Sequence, residues 1–309
     1  MGNNILNKAR ASKKDEFYTQ HKDIQDEVKH YEDFLAGKVV YCNCDDEWSN
    51  FWFYFVQNFE RLGLKRVIAT GIKGERLDYD GDTVFKKTIA SGKFQDNTDI
   101  LAQVDVVVTN PPFSLFREYM ATLVDSGKQF LVLGNVNAIS YKELFPLIRD
   151  RKIWVGYNSC KSLRFLTDCD SVERSVNICW FTNIHTDSET APLPLTKEYT
   201  PEQYPFYDNY DAIEVSKVKN IPVDYYGVMG VPITFLSKWN YEQFDVLGVT
   251  DRSNNSGFKS KVYTKKDASN YHDLNRGGVI VIDGKYKTIY DRILIRHKKE
   301  VGNNGLYTS

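Results

Sequence analysis

Apolar positions in the first part of the chain follow first a helical and then a strand pattern. Side chains between Ile24 and Leu35 recur at helical intervals and are followed by Gly37, which predicts an amphipathic helix over residues 21–36. The apolar run KVVYC at 38–42 then predicts a buried strand.

This alternation of helices and strands continues to about residue 181. Further strands are predicted over residues 66–70, 104–109, 129–133, 152–155 and 176–181, and further helices over residues 49–63, 114–126 and 140–149. Strands that alternate with helices are typical of a parallel sheet covered by helices on both faces. The first part of the chain is therefore predicted to form a doubly wound, mostly parallel α/β sheet.

Two features interrupt the pattern. Asp80-Gly81 has the signature of a tight hairpin turn, which predicts a local insertion between the second and third strands. From about residue 186, four prolines punctuate a polar stretch and the alternation with helices ends. We expect two domains, one over residues 1–185 and a smaller one over residues 186–309.

The composition is that of an ordinary globular protein. Of the 309 residues, 42% are hydrophobic and 26% are charged, and no apolar run approaches the roughly 18 residues of a membrane span. Residues 1–14 are polar and basic, without the apolar core of a signal segment, so we expect a cytoplasmic protein. The spacing of the cysteines predicts neither a disulfide framework nor a zinc or other metal site; they are Cys42, Cys44, Cys160, Cys169 and Cys179.

Charge is distributed unevenly, although the formal net charge is only −1. Residues 251–309 contain twelve Lys and Arg against six Asp and Glu, a balance of +6 against −7 for residues 1–250. Such an excess attracts a polyanion, but from charge alone a solvated basic surface is an equally good interpretation. The candidate nucleic-acid contacts in this region are Arg252, Lys259, Lys261, Lys265, Lys266 and Arg276.

The segment Asn110-Pro111-Pro112-Phe113 carries the sharpest chemical signal, because it directly follows a predicted strand. Open α/β sheets bind their ligands beyond the carboxyl ends of the strands. A plain rigid turn is the alternative interpretation. Such a turn does not need two prolines followed by an aromatic residue, which favours a functional role.

These residue types suit methyl transfer to an exocyclic amino group. The lone pair of the adenine amino nitrogen is delocalised into the ring, so orientation helps the reaction more than a strong base does. The Asn110 side-chain carbonyl and the Pro111 backbone carbonyl would each accept one N6 hydrogen and polarise the nitrogen. Pro111 and Pro112 would stiffen this acceptor, and Phe113 would stack on a base swung out of the duplex. These four residues are the predicted catalytic residues.

A second chemical signal follows the first strand, at Asn43-Cys44-Asp45-Asp46. No glycine lies between Gly37 and Gly63, whereas turns that bind dinucleotide phosphates are rich in glycine. The two acids would instead attract a cation, such as the sulfonium and amino group of S-adenosylmethionine. An acidic approach to the next helix is the alternative interpretation.

Together with the segment DEFYTQ at 15–20, these segments resemble the EcoRI-type adenine-specific DNA methyltransferases. The segments VVYCNCDD at 39–46 and TNPPFSLF at 109–116 are similar to that family, and the similarity extends over most of the chain. The resemblance implies a Rossmann-like methyltransferase sheet with a C-terminal target-recognition domain, S-adenosylmethionine as cofactor, double-stranded DNA as partner, and methylation of a flipped adenine at N6. It leaves open a cognate restriction endonuclease that acts on the same site.

The resemblance also implies the cofactor contacts, which by position are Phe17, Tyr18, Thr19, Cys42, Asn43, Asp45 and Asn110. Two family features are missing from the chain. The end of the second strand, Ile68 to Gly71, lacks the acid that commonly holds the cofactor ribose, and Lys93 stands where an Asp before Phe94 is common. Asp96 is the candidate substitute at the adenine end of the cofactor.

Alternatives to DNA methylation remain open from the sequence. The same turn can present adenine in RNA, or the side-chain amide of a protein glutamine, to a methyl donor. A DNA-binding relative without catalysis would keep only the fold, although the intact motif from Asn110 to Phe113 argues against it. The basic C-terminal region favours a nucleic acid over a protein as the substrate.

Overall fold

The computed structural model describes residues 19–159, 161–165, 174–185, 192–251 and 254–298. The chain divides into two compact units. The first contains the described residues up to 138 and from 151 to 185, and the second contains Ile139–Asp150 and the described residues from 192 onward. Residues 139–150 thus lie in the second unit, whereas the division expected from the sequence has them in the first. No described helix has the length and apolar character needed to cross a membrane.

The described strands of the first unit form one mixed sheet. They are β1 (Val39–Asn43), β2 (Arg66–Thr70), β3 (Glu75–Tyr79), β4 (Val84–Thr88), β5 (Val106–Thr109), β6 (Gln129–Asn135), β7 (Trp154–Val155), β8 (Lys161–Phe165) and β9 (Arg174–Thr182). Neighbouring strands follow the order β4-β3-β2-β1-β5-β6-β9-β7, and β8 pairs with β9 outside this path. The central strands β2, β1, β5 and β6 are parallel, and the flanking strands are antiparallel.

Helices cover both faces of this sheet. They are α1 (His21–Val28), α2 (Glu32–Leu35), α3 (Asn50–Gln57), α4 (Thr98–Gln103) and α5 (Phe116–Asp125). On one face, alternate strand side chains such as Val40 and Val106 pack with α1, α2 and α3 in one core. On the other face, Tyr41 stacks beside Phe94, whose ring centre lies 4.4 Å from that of Tyr119 on α5. Strand side chains alternate between the two faces, and both faces are covered, so every residue of β1 and β5 is buried. The predicted doubly wound α/β class is confirmed.

Two predicted helices are shorter than expected, and one predicted turn extends the sheet. The helix expected over 49–63 is limited to α3 (Asn50–Gln57). The helix expected over 140–149 is limited to α6 (Phe145–Arg149), because a proline such as Pro146 fits only into the first turn of a helix. The Asp80-Gly81 turn does form a hairpin. Its strands, β3 and β4, continue the main sheet beyond β2 in antiparallel pairing.

The second unit contains short strands and no long helix among its described residues. The strands β10 (Ile213–Glu214), β11 (Met229–Pro232), β12 (Phe244–Val249) and β15 (Arg292–His297) form a sheet in the order β10-β11-β15-β12. A separate hairpin joins β13 (Val279–Ile282) to β14 (Lys285–Thr288), and α7 (Tyr271–Leu274) is a single turn. The alternation of strands and helices is therefore a property of the first unit.

Candidate active site

A cleft opens beyond the carboxyl ends of β1 and β5. The chain passes from β1 to β2 on one side and returns to β5 on the other side of β1, so the strand order reverses between β1 and β5. Such a reversal leaves the crevice in which open α/β sheets bind their ligands. The cleft has a volume of about 340 Å³, which is in the range of small-molecule sites. It is lined by Thr19, residues 44–51, residues 71–73, Glu75, and residues 110–112.

Asp45 lies in the turn after β1 and is held by two hydroxyl groups. Ser49, the N-cap of α3, donates to one carboxylate oxygen, and Thr109 at the end of β5 donates to the other at 2.7 Å. Asp45 is only 6% exposed, and this burial raises its pKa to about 7, although the two hydroxyl hydrogen bonds oppose the rise. The carboxyl group therefore links the ends of β1 and β5 and titrates near neutral pH.

Thr19 is hydrogen-bonded to the side chains of Asn110 and Asn50. The Asn110 amide nitrogen donates to Thr19 Oγ1 at 3.2 Å, and the Asn50 amide nitrogen donates to the Thr19 carbonyl oxygen at 2.8 Å. With its nitrogen directed at Thr19, the Asn110 amide has its carbonyl oxygen as the atom that can accept a substrate hydrogen. The structure thus brings Thr19 and Asn110 together, while Phe17 and Tyr18 lie outside the described residues.

Pro111 and Pro112 line the cleft, whereas Phe113 packs in the core. Phe113 is 6% exposed and belongs to the same core cluster as α1, α2 and α3. It begins a single helical turn, Phe113–Leu115, that leads into α5. Phe113 therefore anchors the turn in the hydrophobic core. Its stacking on a base stays a prediction.

Two residues predicted from the first strand lie beneath the cleft rather than in its lining. Cys42 is fully buried, because the alternation along β1 directs it into the core with α1, α2 and α3. Asn43 is also buried, and its amide nitrogen donates to Tyr41 Oη at 3.0 Å and to Thr70 Oγ1 at 2.8 Å. Asn43 thus joins the ends of β1 and β2, and direct contact of either residue with a cofactor stays a prediction.

Asp96 is exposed and lies outside the cleft lining. It accepts a hydrogen bond from Ser91 Oγ at 2.7 Å. The loop that carries it nevertheless packs on the turn after β2, because a Cβ atom on Gly92 would come within 2.2 Å of the Gly71 carbonyl oxygen. The loop is therefore adjacent to the cleft, and the contact of Asp96 itself with a cofactor stays a prediction.

The cleft includes residues that were not predicted from the sequence. Trp48 and Ile72 line it and are 73% and 49% exposed, and Glu75 lines it at the start of β3. Trp48 follows the acidic turn by two residues, and glycines at 71 and 74 frame the turn that brings Glu75 back to β2. An acid or an aromatic residue within a few positions of a strand end is the signal that could have identified Trp48 and Glu75.

Negative charge dominates this cleft. Asp45, Asp46, Glu47 and Glu75 line it, and Lys73 is the cationic residue among its described lining residues. An acidic cleft attracts cations and repels phosphates. Its side chains therefore fit the positively charged methionine end of S-adenosylmethionine and disfavour a dinucleotide.

The candidate DNA contacts in the second unit differ in how far their charges are already engaged. The Lys259 ammonium group donates to the Asn275 carbonyl oxygen at 2.8 Å. Lys261 forms an ion pair with Asp208 at 2.7 Å, and Tyr263 donates to the same carboxylate at 2.7 Å. Both lysines thus stabilise the second unit, and their contact with DNA stays a prediction.

The remaining candidates are more exposed. Lys265 and Lys266 are exposed, and neither ammonium group has an ion-pair or hydrogen-bond partner in the part of the chain that the structure describes. Arg276 is exposed and lies 3.5 Å from Asp273. Arg252 falls outside the described residues. Among the described candidates, Lys265 and Lys266 therefore have the charges that are most accessible to a polyanion.

Comparisons with known proteins identify the family of the chain. The family model described as "Adenine-specific methyltransferase EcoRI" matches residues 5–89 and 78–298. The Type II methyltransferase M.EcoRI of Escherichia coli is 41% identical over 290 residues, which cover 79% of this chain and 89% of that protein. M.MpnI of Mycoplasma pneumoniae is 36% identical and covers 96% of this chain and 99% of its own length. M.MgeORF184P of Mycoplasma genitalium is 33% identical, with 95% and 99% covered. The chain therefore belongs to the EcoRI family of adenine-specific DNA methyltransferases.

Proposed function

We propose that this enzyme transfers the methyl group of S-adenosylmethionine to N6 of an adenine at a specific site in double-stranded DNA. The observation that carries the proposal is that Asn110 and Pro111 share one cleft with the acidic turn around Asp45. The first pair offers acceptors for the hydrogens of an amino group, and the turn offers negative charge to a cation. Methyl transfer from a sulfonium to an amino nitrogen uses both.

The acidic part of the cleft is the proposed site of the cofactor. Asp45 and Asp46 would hold the positively charged end of S-adenosylmethionine. Thr19 contacts Asn110 and lines the same cleft. In this proposal it would border both the cofactor and the target base. When bound, the cofactor supplies an electrophilic methyl group, and the protein supplies orientation and charge.

Asn110 and Pro111 orient the target amino group. Each would accept one N6 hydrogen, which holds the nitrogen and increases its electron density. Pro111 and Pro112 have fixed φ angles, so the acceptors keep their positions without reorganisation during the reaction. The proton can leave to water after transfer, so no catalytic base is needed.

We propose that the target adenine leaves the duplex before it reacts. An amino group inside a stacked base pair cannot reach acceptors within a concave cleft, and enzymes that modify bases extrude them at a cost of a few kcal/mol. Half-buried Pro112 provides an apolar surface next to Asn110, and buried Phe113 fixes this turn. A mismatched or unpaired target adenine should therefore be methylated at least as fast as a paired one.

The proposed function is tested by sequencing that detects modified bases in DNA from cells that express the chain. We expect N6-methyladenine at one short sequence motif, and none in cells that express the Asn110→Ala variant. The purified enzyme, assayed with labelled S-adenosylmethionine, should label duplex DNA in preference to RNA of the same sequence. Unmodified DNA together with labelled RNA or protein would contradict the assignment of DNA as the substrate.

Replacing Lys265 and Lys266 together by alanine is expected to weaken binding to DNA of any sequence. Each phosphate contact releases counterions, so the slope of log affinity against log salt should become shallower by roughly one to two units. Titration of a fluorescent duplex at several salt concentrations measures this slope. Loss confined to the preferred site would instead indicate that these lysines contact base edges.

The matched control replaces Lys217 and Lys219 by alanine, which removes the same charge from another exposed segment of the second unit. If only net charge matters, both double variants should change the slope equally. If Lys265 and Lys266 contact phosphates, their variant should change it more. An unchanged slope in the Lys265 and Lys266 variant would show that these lysines form only a solvated surface.

A further inference from the structure

The carboxyl end of β2 provides no acid to the cleft. The strand ends at Thr70, whose hydroxyl oxygen is within hydrogen-bond distance of Tyr41 Oη at 2.7 Å and of Asn43 Nδ2 at 2.8 Å. Gly71 follows and has no side chain. In nucleotide-binding α/β folds, an acid near the end of the second strand commonly binds the ribose hydroxyls. In this chain the corresponding position has no acidic side chain.

The turn after β2 returns the chain directly to the same edge of the sheet. Gly74 adopts a φ of +87°, and its amide nitrogen donates to the Gly71 carbonyl oxygen at 3.0 Å. The Gly71 amide nitrogen then donates to the Glu75 carbonyl oxygen at 2.9 Å. Because β3 runs antiparallel to β2, its first residue lies where β2 ends. Glu75 is therefore placed at the ligand-binding edge of the sheet.

The side chain of Glu75 lies next to the residue that follows β2. A Cβ atom built on Gly71 would lie 3.4 Å from Glu75 Oε2. Glu75 is half-buried and lines the cleft beside Gly71 and Ile72. Its carboxylate thus reaches the cleft from the neighbouring strand.

Glu75 differs from the other carboxylates of the cleft, each of which has a hydrogen-bond or ion-pair partner among the described residues. Asp45 accepts from Ser49 and Thr109. Asp46 accepts from the Trp48 amide at 2.9 Å, and Glu47 pairs with Lys86 at 2.9 Å. For Glu75 no side-chain hydrogen bond or ion pair is formed with any described residue, so both carboxylate oxygens are available to a ligand.

We propose that Glu75 binds the ribose of S-adenosylmethionine and replaces the acid that β2 lacks. A vicinal diol has two hydroxyl donors, and a carboxylate has two acceptor oxygens, so the two groups can pair through short charge-assisted hydrogen bonds. This inference rests on the proposed function, since it assumes the cofactor. It assigns the β3–β4 hairpin a role in binding, because the hairpin carries the acid into the cleft.

Calorimetry on the full chain tests the assignment with three ligands. They are S-adenosylmethionine, S-adenosylhomocysteine, and an S-adenosylhomocysteine analogue that lacks both ribose hydroxyls. Glu75→Ala is expected to weaken the first two equally, by about ten- to a hundredfold, because hydrogen bonds to a charged group are lost. The analogue should bind to Glu75→Ala and to the unsubstituted enzyme with similar affinity. Glu75→Gln, which keeps the side-chain size, should give a smaller loss in the same pattern.

Asp82→Ala is the matched control, because it removes one carboxylate from the distal turn of the same hairpin, outside the cleft. It should leave all three affinities unchanged. If Glu75→Ala bound S-adenosylhomocysteine with unchanged affinity, the inference would be overturned, but the proposed function would not. If in addition only the affinity for S-adenosylmethionine fell, Glu75 would act on the sulfonium charge and not on the ribose. Failure of the unsubstituted enzyme to bind S-adenosylmethionine would overturn the proposed function as well.

Discussion

Replacing Asn110 by alanine is expected to reduce methyl transfer about 100- to 1,000-fold or more. The substitution removes the side-chain oxygen that is proposed to accept an N6 hydrogen, and loss of one preorganised polar group in an active site has effects of this size. Affinity for S-adenosylmethionine should fall much less, because the acidic turn around Asp45 is unchanged. Single-turnover rates with labelled cofactor and duplex DNA, together with calorimetry of cofactor binding, measure the two effects separately.

Asn110→Asp is the informative comparison. The carboxylate keeps an oxygen acceptor, and Thr19 Oγ1 can donate to it where it now accepts from the Asn110 amide nitrogen at 3.2 Å. We therefore expect Asn110→Asp to retain more activity than Asn110→Ala. Near-normal turnover of the alanine variant would contradict the catalytic assignment. A parallel loss of cofactor binding would indicate that Asn110 belongs mainly to the cofactor site.

The parallel centre of the sheet was predictable from the sequence because burial on both faces leaves continuous apolar runs. β1, β2 and β5 each contain three or more consecutive apolar residues and end in a polar or turn-forming segment. Those ends place the acidic turn and the Asn-Pro-Pro segment at one edge. Their proximity follows from strand order alone, without knowledge of side-chain contacts.

Side-chain direction was harder to predict. Cys42 and Asn43 are neighbours on β1, and the alternation of a strand requires that they face opposite sides. The sequence does not say which side faces the core with α1, α2 and α3. Phe113 poses the same problem, because an aromatic residue after a turn suits both a stacking surface and a core. Only packing with the helices decides it.

Contacts between distant segments were not predictable. The position of Glu75 at the cleft is one example, because the Asp80-Gly81 signature predicts a local insertion but not the pairing of β3 with β2. The lysines of the second unit show the same limit. Lys261 and Asp208 are far apart in sequence but form an ion pair at 2.7 Å. Charge composition identifies a basic region and does not reveal which charges are already neutralised.

Affinity for S-adenosylmethionine is expected to rise with pH from about 5.5 to about 7.5. Burial raises the pKa of Asp45 to about 7, so the carboxyl group is mostly neutral at the lower pH and mostly charged at the higher one. A cationic ligand binds the charged form, so affinity should increase by up to about tenfold per pH unit below the pKa and level off above it. Calorimetry across this range measures the slope.

Asp45→Asn should remove this pH dependence and lower the affinity at about pH 7.5 by roughly ten- to a hundredfold, while affinity for duplex DNA changes little. S-adenosylhomocysteine lacks the sulfonium charge, so its affinity should depend less on pH. An unchanged cofactor affinity in Asp45→Asn would favour the alternative that the turn is only an acidic approach to α3.

The same carboxyl group is expected to reduce the stability of the ligand-free enzyme as pH rises. Its folded pKa of about 7 lies above the usual 3.8, so between these values the folded chain binds more protons than the unfolded chain. Its contribution is fully present below the usual pKa and is lost as pH rises through the folded one. Asp45→Asn should therefore raise the melting temperature relative to the unsubstituted enzyme more at about pH 8 than at about pH 5. If Asp45 served only the fold, its substitution would lower the melting temperature at both pH values. A higher melting temperature together with a weaker cofactor affinity would therefore identify Asp45 as a ligand-binding carboxylate rather than a structural one.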